Sequence, residues 1–285
     1  MFIHQQVEGE MEMELLSEIL RIFDTRMEAP KPYGAFHLVF LFLTALVTVL
    51  LCVTHKKASP DRPRRVVFIT AVIVFIFEIY KQIHYSFSYG DTIVFKYAWY
   101  IFPWQLCSIP MYAGLLTGIF RKGKLHDALC AFLATYAVFA GICVMVYPID
   151  AVCTVTGVNI QTMICHGSMI VVGIYLLYSQ YVKLEHKTIL KAMPVFSAVM
   201  LTAIALNEIV FAIGLPSDQV FNMFFISPHY PPTLVLYSDV QAVIPYPFCT
   251  LIYFAAATLA AYVILLTAML IKHIYSKLNK EKPNL

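Results

Sequence analysis

Seven stretches of nearly continuous apolar residues, at about 36–53, 66–86, 97–120, 127–146, 161–180, 189–213 and 247–272, alternate with short polar connections. Each is close to the ~20 residues that a helix needs to cross the hydrocarbon core of a bilayer. A backbone in lipid finds no water for its polar groups, so a spanning segment is a helix or a strand of a closed barrel. Barrel strands alternate apolar and polar positions, and these stretches do not. The pattern predicts an all-α, polytopic membrane protein with seven transmembrane helices. Ahead of them, within residues 9–29, Leu16, Leu20, Phe23 and Met27 recur at three-to-four spacing opposite Glu14, Glu18 and Asp24. That spacing predicts an amphipathic N-terminal helix lying on the outer surface or capping the bundle. The expected organisation is an amphipathic helix and linker (1–32), a seven-helix membrane domain (33–273) and a basic tail (274–285).

Composition agrees with this and excludes a water-soluble domain. Of 285 residues 60% are hydrophobic and 13% charged, with a mean hydropathy of +0.74. Charge then adds direction. The connections after the first, third, fifth and seventh segments hold Lys56, Lys57, Arg62, Arg64 and Arg65; Arg121, Lys122 and Lys124; Lys183, Lys187 and Lys191; and Lys272, Lys277, Lys280 and Lys282, which is 15 of the 20 lysines and arginines. With seven segments all of them share one face. By the positive-inside tendency that face is cytoplasmic, which puts the N-terminus outside and the C-terminus in the cytoplasm. The net charge of +3 is therefore topological and implies no nucleic-acid partner. The seven cysteines show no framework spacing and no CxxC pair. No cleavable signal peptide is expected, because residues 1–30 lack a basic start followed by an apolar run.

Polar residues inside the apolar stretches change the picture most. Glu78, Lys81, Gln82 and Tyr85 fall at i, i+3, i+4 and i+7 on the second helix and share a face. The third segment carries Trp99, Tyr100, Phe102, Trp104, Gln105 and Cys107 between Pro103 and Pro110, so a kinked helix with freed carbonyls is expected around Cys107. Asn159, Thr162 and His166 form a polar edge at the start of the fifth helix, beside Gln161. Asn207 and Glu208 end the sixth, and the apolar loop from Phe221 to Pro232, containing Asn222, is expected to fold back over the bundle mouth. With His37 and His84, these groups all map to the outer half of the membrane. Their convergence predicts a cavity open on the outer side, since a through-going channel needs polar residues in the inner half too.

Within such a cavity Cys107 and His166 offer the pairing that makes a thiol a nucleophile, with the imidazole taking and later returning the proton. Lys81 or freed backbone amides would favour the thiolate or hold an oxyanion. Metal binding is the rival use, and no HxxxH or HExxH spacing supports it, so neither metal nor cofactor is expected. A transporter or lipid-binding protein without covalent chemistry is the alternative, relying on Glu78, Lys81, His166 and Glu208.

Four motifs carry a resemblance to a known family. Phe36-His37-Leu38, Phe102-Pro103-Trp104-Gln105-Leu106-Cys107, Thr156-Gly157-Val158-Asn159-Ile160-Gln161 ahead of His166, and Phe221-Asn222-Met223-Phe224-Phe225 ahead of Pro228 resemble the YwaF-type family of bacterial integral membrane proteins. The resemblance covers roughly residues 33–270. That family is similar to an animal membrane protein that acts as a cysteine acyltransferase on ether phospholipids. The resemblance implies a multi-pass protein of the bacterial cell membrane whose partners are phospholipids and lysophospholipids. It implies Cys107 as the acyl-carrying residue and His166 as its base. Glu78, Lys81, Gln82, Gln105, Asn159, Gln161, Asn207, Asn222 and His37 are the expected supporting or substrate-binding residues. Gln105 departs from the family pattern, standing where many relatives carry histidine.

Overall fold

The computed structural model describes residues 14–57, 59, 61–230 and 237–280, so residues 9–13 of the expected amphipathic helix, Pro231, Pro232 and the last five residues lie outside the described ones. Most of the described chain is helical. A helix over residues 14–22 (α1) precedes α2 (Ala35–Val53), α3 (Arg62–His84) and a hairpin of β1 (Phe87–Tyr89) and β2 (Ile93–Phe95). Then come the short α4 (Ile109–Ile119), α5 (Lys124–Val146), α6 (Thr156–Tyr178), α7 (Lys187–Ile213), the short α8 (Tyr237–Val243) and α9 (Tyr246–Lys280). Six of these helices, α2, α3, α5, α6, α7 and α9, are long and apolar enough to cross a membrane.

The third expected crossing is built differently from the kinked helix anticipated over 97–120. The chain makes one 3-10 turn at Trp99–Ile101, runs irregularly to Ser108 and becomes α-helical only at Ile109. The prolines explain the break. Phe102, which precedes Pro103, is extended at φ −45°, ψ 133°, as the proline ring requires of its neighbour. Pro110 occupies the first turn of α4, where its missing N–H has no intrahelical partner to lose. The 11 residues of α4 rise only about 16 Å, roughly half the hydrocarbon thickness. Alongside α3, the irregular run and α4 together pass from Gln82, whose amide donates to the Ile101 carbonyl at 3.0 Å, down to Phe68, which faces Gly118.

The two most buried of the long helices are α5 and α6; α2, α3, α7 and α9 turn much of their surface outward. A π-helical turn at Leu133–Ala137 lets α5 seat against Gly173 of α6. A Cβ at Gly173 would overlap Val138 and stand 2.7 Å from the Leu133 carbonyl oxygen, a backbone atom that cannot swing aside. Gly173→Ala is expected to force this pair apart at a cost of roughly 1–3 kcal/mol. A lower thermal midpoint in detergent is the check, and an unchanged midpoint would show that the contact is loose.

Two segments close one end of the bundle. After α1, Met27 N donates to Thr154 O and Thr156 N to Thr25 O, both at 2.9 Å, while the Tyr80 hydroxyl donates to the Phe23 carbonyl at 2.8 Å. The segment is thereby fastened over the end of α3 and the start of α6. Between α7 and α8 the chain turns inward, and Phe221, Met223, Phe224, Ile226 and Ser227 are buried. The apolar loop therefore folds into the bundle. Lys96, just after β2, pairs with Asp218 of this connection at 2.6 Å, and its ammonium holds the Asp218 carboxyl below the usual carboxylate range.

Candidate functional site

The polar turn of α3 forms a closed network around Glu78, which is only 4% exposed. Glu78 Oε1 accepts from Gln82 Nε2 at 2.8 Å; Oε2 stands 2.9 Å from Lys81 Nζ and accepts from Gln161 Nε2 of α6 at 3.3 Å. Helical spacing places Lys81 and Gln82 one turn beyond Glu78 on the same face. Gln82 spends its other amide hydrogen on Ile101 and accepts from the Tyr97 hydroxyl at 2.7 Å. Charges this far inside an apolar bundle persist when they are paired, as these are.

Cys107 lies beside this network in the last turn before α4. Its carbonyl accepts from Cys165 Sγ at 3.4 Å, and its thiol is within electrostatic reach of Lys81 and Glu78. Ser108 caps α4 by position, yet its buried hydroxyl makes no hydrogen bond among the described residues. Unbonded amides at a helix start favour negative charge beside them. Below the thiol runs a narrow crevice of about 20 Å³ between α3, α4, α5 and α6, walled by Val74, Ala71, Gly114, Met169 and Val172. That is space for about one water-sized group.

The expected open polar cavity is occupied by its own side chains. Gln105 donates to Asn222 O and accepts from Phe224 N, both at 3.1 Å; Asn207 exchanges two bonds with Met223, at 3.0 and 2.7 Å. The Asn222 side chain accepts from Ser227 N at 2.8 Å, and Asn159 clasps the Cys153 backbone at 2.8 and 2.7 Å. Gln105, Asn207 and Asn222 thus pin the inward loop, including Phe224 and Phe225 at the left-handed φ of 59° and 58°. A buried amide without partners costs more than one bonded to backbone, which is why these groups close on the chain.

The two histidines make separate hydrogen bonds. His37 Nδ1 accepts from Tyr33 N at 2.9 Å and Nε2 donates to Met145 O at 3.0 Å, so His37 ties the start of α2 to the end of α5. His166 Nδ1 donates to Thr162 O at 2.8 Å, which leaves Nε2 as the nitrogen with a free lone pair; among the described residues it has no partner. Consecutive helical residues point about 100° apart. Cys165 is the one turned to Cys107, and Cys107 and His166 share no hydrogen bond among the described residues. Among those residues no group of three or more His, Cys, Asp or Glu is placed to hold a metal ion.

A family model described as the TMEM164 family matches residues 32–274. The chain belongs to the TMEM164 family. The match takes in α2 to α8 and most of α9, with Glu78, Lys81, Cys107 and His166 inside it, and leaves out α1. A multi-pass membrane protein is what TMEM164 family membership and the six long apolar helices both support. No curated protein and no solved structure matches the chain.

Three residues at this TMEM164 family site escape sequence reading: Cys165, Ser108 and Tyr97. Cys165 stands one turn after Gln161, so the face that meets Glu78 also meets Cys107, a spacing visible in the sequence. Ser108 and Tyr97 gain their places only from the break in the third crossing.

Proposed function

We propose that this TMEM164 family member is a membrane-embedded acyltransferase of the cell membrane that moves a fatty acyl chain between phospholipids as a thioester on Cys107. The supporting observation is the position of Cys107. A thiol in an irregular break, at the start of a helix that begins partway through the apolar bundle, joins a buried Glu78–Lys81 pair to an apolar crevice.

Cys107 and His166, which share no hydrogen bond among the described residues, come together as the acyl donor enters, and the thiol proton then passes to His166 Nε2. The sulfur attacks the ester carbonyl, an S–C bond forms, the C–O bond breaks, and the departing lysolipid alkoxide takes the proton back from the imidazolium. In the second half the hydroxyl of an acceptor lysolipid attacks the thioester, its proton goes to His166, and the thiolate leaves and is reprotonated. Lys81 and the start of α4 stabilise the negative charge, and the crevice beneath Cys107 widens to take the first methylenes of the chain. Two-substrate kinetics in proteoliposomes are expected to give parallel double-reciprocal lines, because the first product leaves before the acceptor binds. Intersecting lines would replace the thioester route by direct transfer.

The same proposal has seven crossings, the third being the irregular run plus α4, with the N-terminus outside and the basic connections in the cytoplasm. Protease added to right-side-out vesicles is then expected to spare an epitope tag after Leu285 and to remove one before Met1. The opposite result inverts the topology.

A further inference from the structure

A second cavity, larger than the crevice under Cys107, lies at the other end of α4. It has a volume of about 320 Å³ and opens between the α4–α5 and α6–α7 turns. That size is within the range of small-ligand pockets. Its rim carries Arg121, Lys122, Lys183 and Lys191 against one lining carboxylate, Asp127. Lys191 is engaged with Glu185 at 3.3 Å, whereas among the described residues Arg121, Lys122 and Lys183 make no ion pair. Three cations around a recess, with one acid to balance them, form a site for a multiply charged anion.

The floor is ordered by hydrogen bonds. His126 Nδ1 lies 2.7 Å from the Phe120 carbonyl, which only accepts, so Nδ1 carries the hydrogen and Nε2 accepts. Nε2 faces the Tyr181 hydroxyl at 2.9 Å and Cys130 Sγ at 3.5 Å. Burial pushes the Tyr181 phenol up, which keeps it a donor. The Thr188 hydroxyl donates to the Lys183 carbonyl at 2.5 Å, and the Gln180 side chain accepts from Lys272 of α9 at 2.7 Å, fixing the α6–α7 turn. Gly123, at φ +103°, makes the reverse bend that brings Arg121 and Lys122 to the rim. Both turns are held in place while their cations stay free.

We propose that this cavity binds a phosphate-bearing anion, either the headgroup of an anionic phospholipid or a free phosphate ester. The observations favour phosphate because Arg and Lys from two turns converge on a recess at the end of apolar helices, where bilayer phosphates stand and where basic pockets between helices take anionic headgroups. The proposal is independent of the chemistry at Cys107.

The test uses the purified full chain in detergent, with binding read by native mass spectrometry. The probes are dioctanoyl phosphatidylglycerol, dioctanoyl phosphatidylcholine and inorganic phosphate. Phosphatidylglycerol is expected to be retained over phosphatidylcholine, and Arg121→Ala/Lys183→Ala to weaken it on the order of tenfold or more. Lys124→Ala, on the same turn but outside the lining, is expected to bind as the parent does. Retention of phosphatidylglycerol assigns the site to lipid. Binding of inorganic phosphate without lipid selectivity, lost in the same variant, assigns it to a soluble ester. Equal retention of both lipids together with no phosphate binding, or unchanged binding in the double variant, overturns the proposal. Lys122→Glu repeats the measurement should the double variant fold poorly.

Discussion

Cys107→Ala is expected to lower acyl transfer at least about a thousandfold while leaving the protein folded. The covalent route needs one sulfur at the junction of the crevice and the Glu78 network, and no second nucleophile replaces it. Cys165 is buried, and its thiol is turned to the Cys107 carbonyl. Cys107→Ser is expected to be almost as inactive, because a serine hydroxyl is far less acidic and less nucleophilic than a thiol in the same place. Cys52 and Cys143 lie on α2 and α5, outside both the network and the crevice, so their alanine variants keep full activity. Transfer of a labelled acyl chain from diacyl lipid to lysolipid in proteoliposomes is the assay. More than about a tenth of parental activity in Cys107→Ala would remove the sulfur from the mechanism.

Glu78→Gln is expected to be the most destabilising single change at the site, by about 3–5 kcal/mol, because it leaves the Lys81 ammonium buried without a counter-charge. The Lys81 and Glu78 side chains are 12% and 6% exposed, so water does little to relieve it. Adding Lys81→Met to Glu78→Gln is expected to recover most of that stability, since a neutral pair needs no compensation. Activity is expected to stay low in the double variant, because the thiol has lost its cationic neighbour. Thermal unfolding followed by Trp99 and Trp104 fluorescence separates the two effects. Recovery of activity along with stability would reduce the pair to a structural role, and failure to recover stability would deny that the charges depend on each other.

The apolar stretches located six of the crossing helices because continuous apolar sequence has few other solutions in lipid. The third was misjudged at a point where the sequence held the signal. Pro110 fits a helix start better than a helix interior, and the residue before Pro103 is pushed out of the helical region, so the irregular run ending at Ser108 was legible. The Glu78, Lys81 and Gln82 face followed from spacing alone. The roles of Gln105, Asn207 and Asn222 did not, because their partners are backbone groups of an inward loop whose course depends on tertiary packing; Gln105 and Phe224 are 119 residues apart. His126 and Cys130 stand at i, i+4 on α5, a spacing visible in the sequence. Tyr181 and the basic turn that give that pair its surroundings arrive only with the fold.

Whether Cys107 carries the acyl chain is measured directly by peptide mapping of the purified protein after incubation with phospholipid and no acceptor. One acyl mass is expected on the peptide containing Cys107, released by neutral hydroxylamine and by added lysolipid, and absent in Cys107→Ala. An unmodified Cys107 in preparations that transfer acyl chains on addition of acceptor, or an acyl group found on another residue, would contradict it.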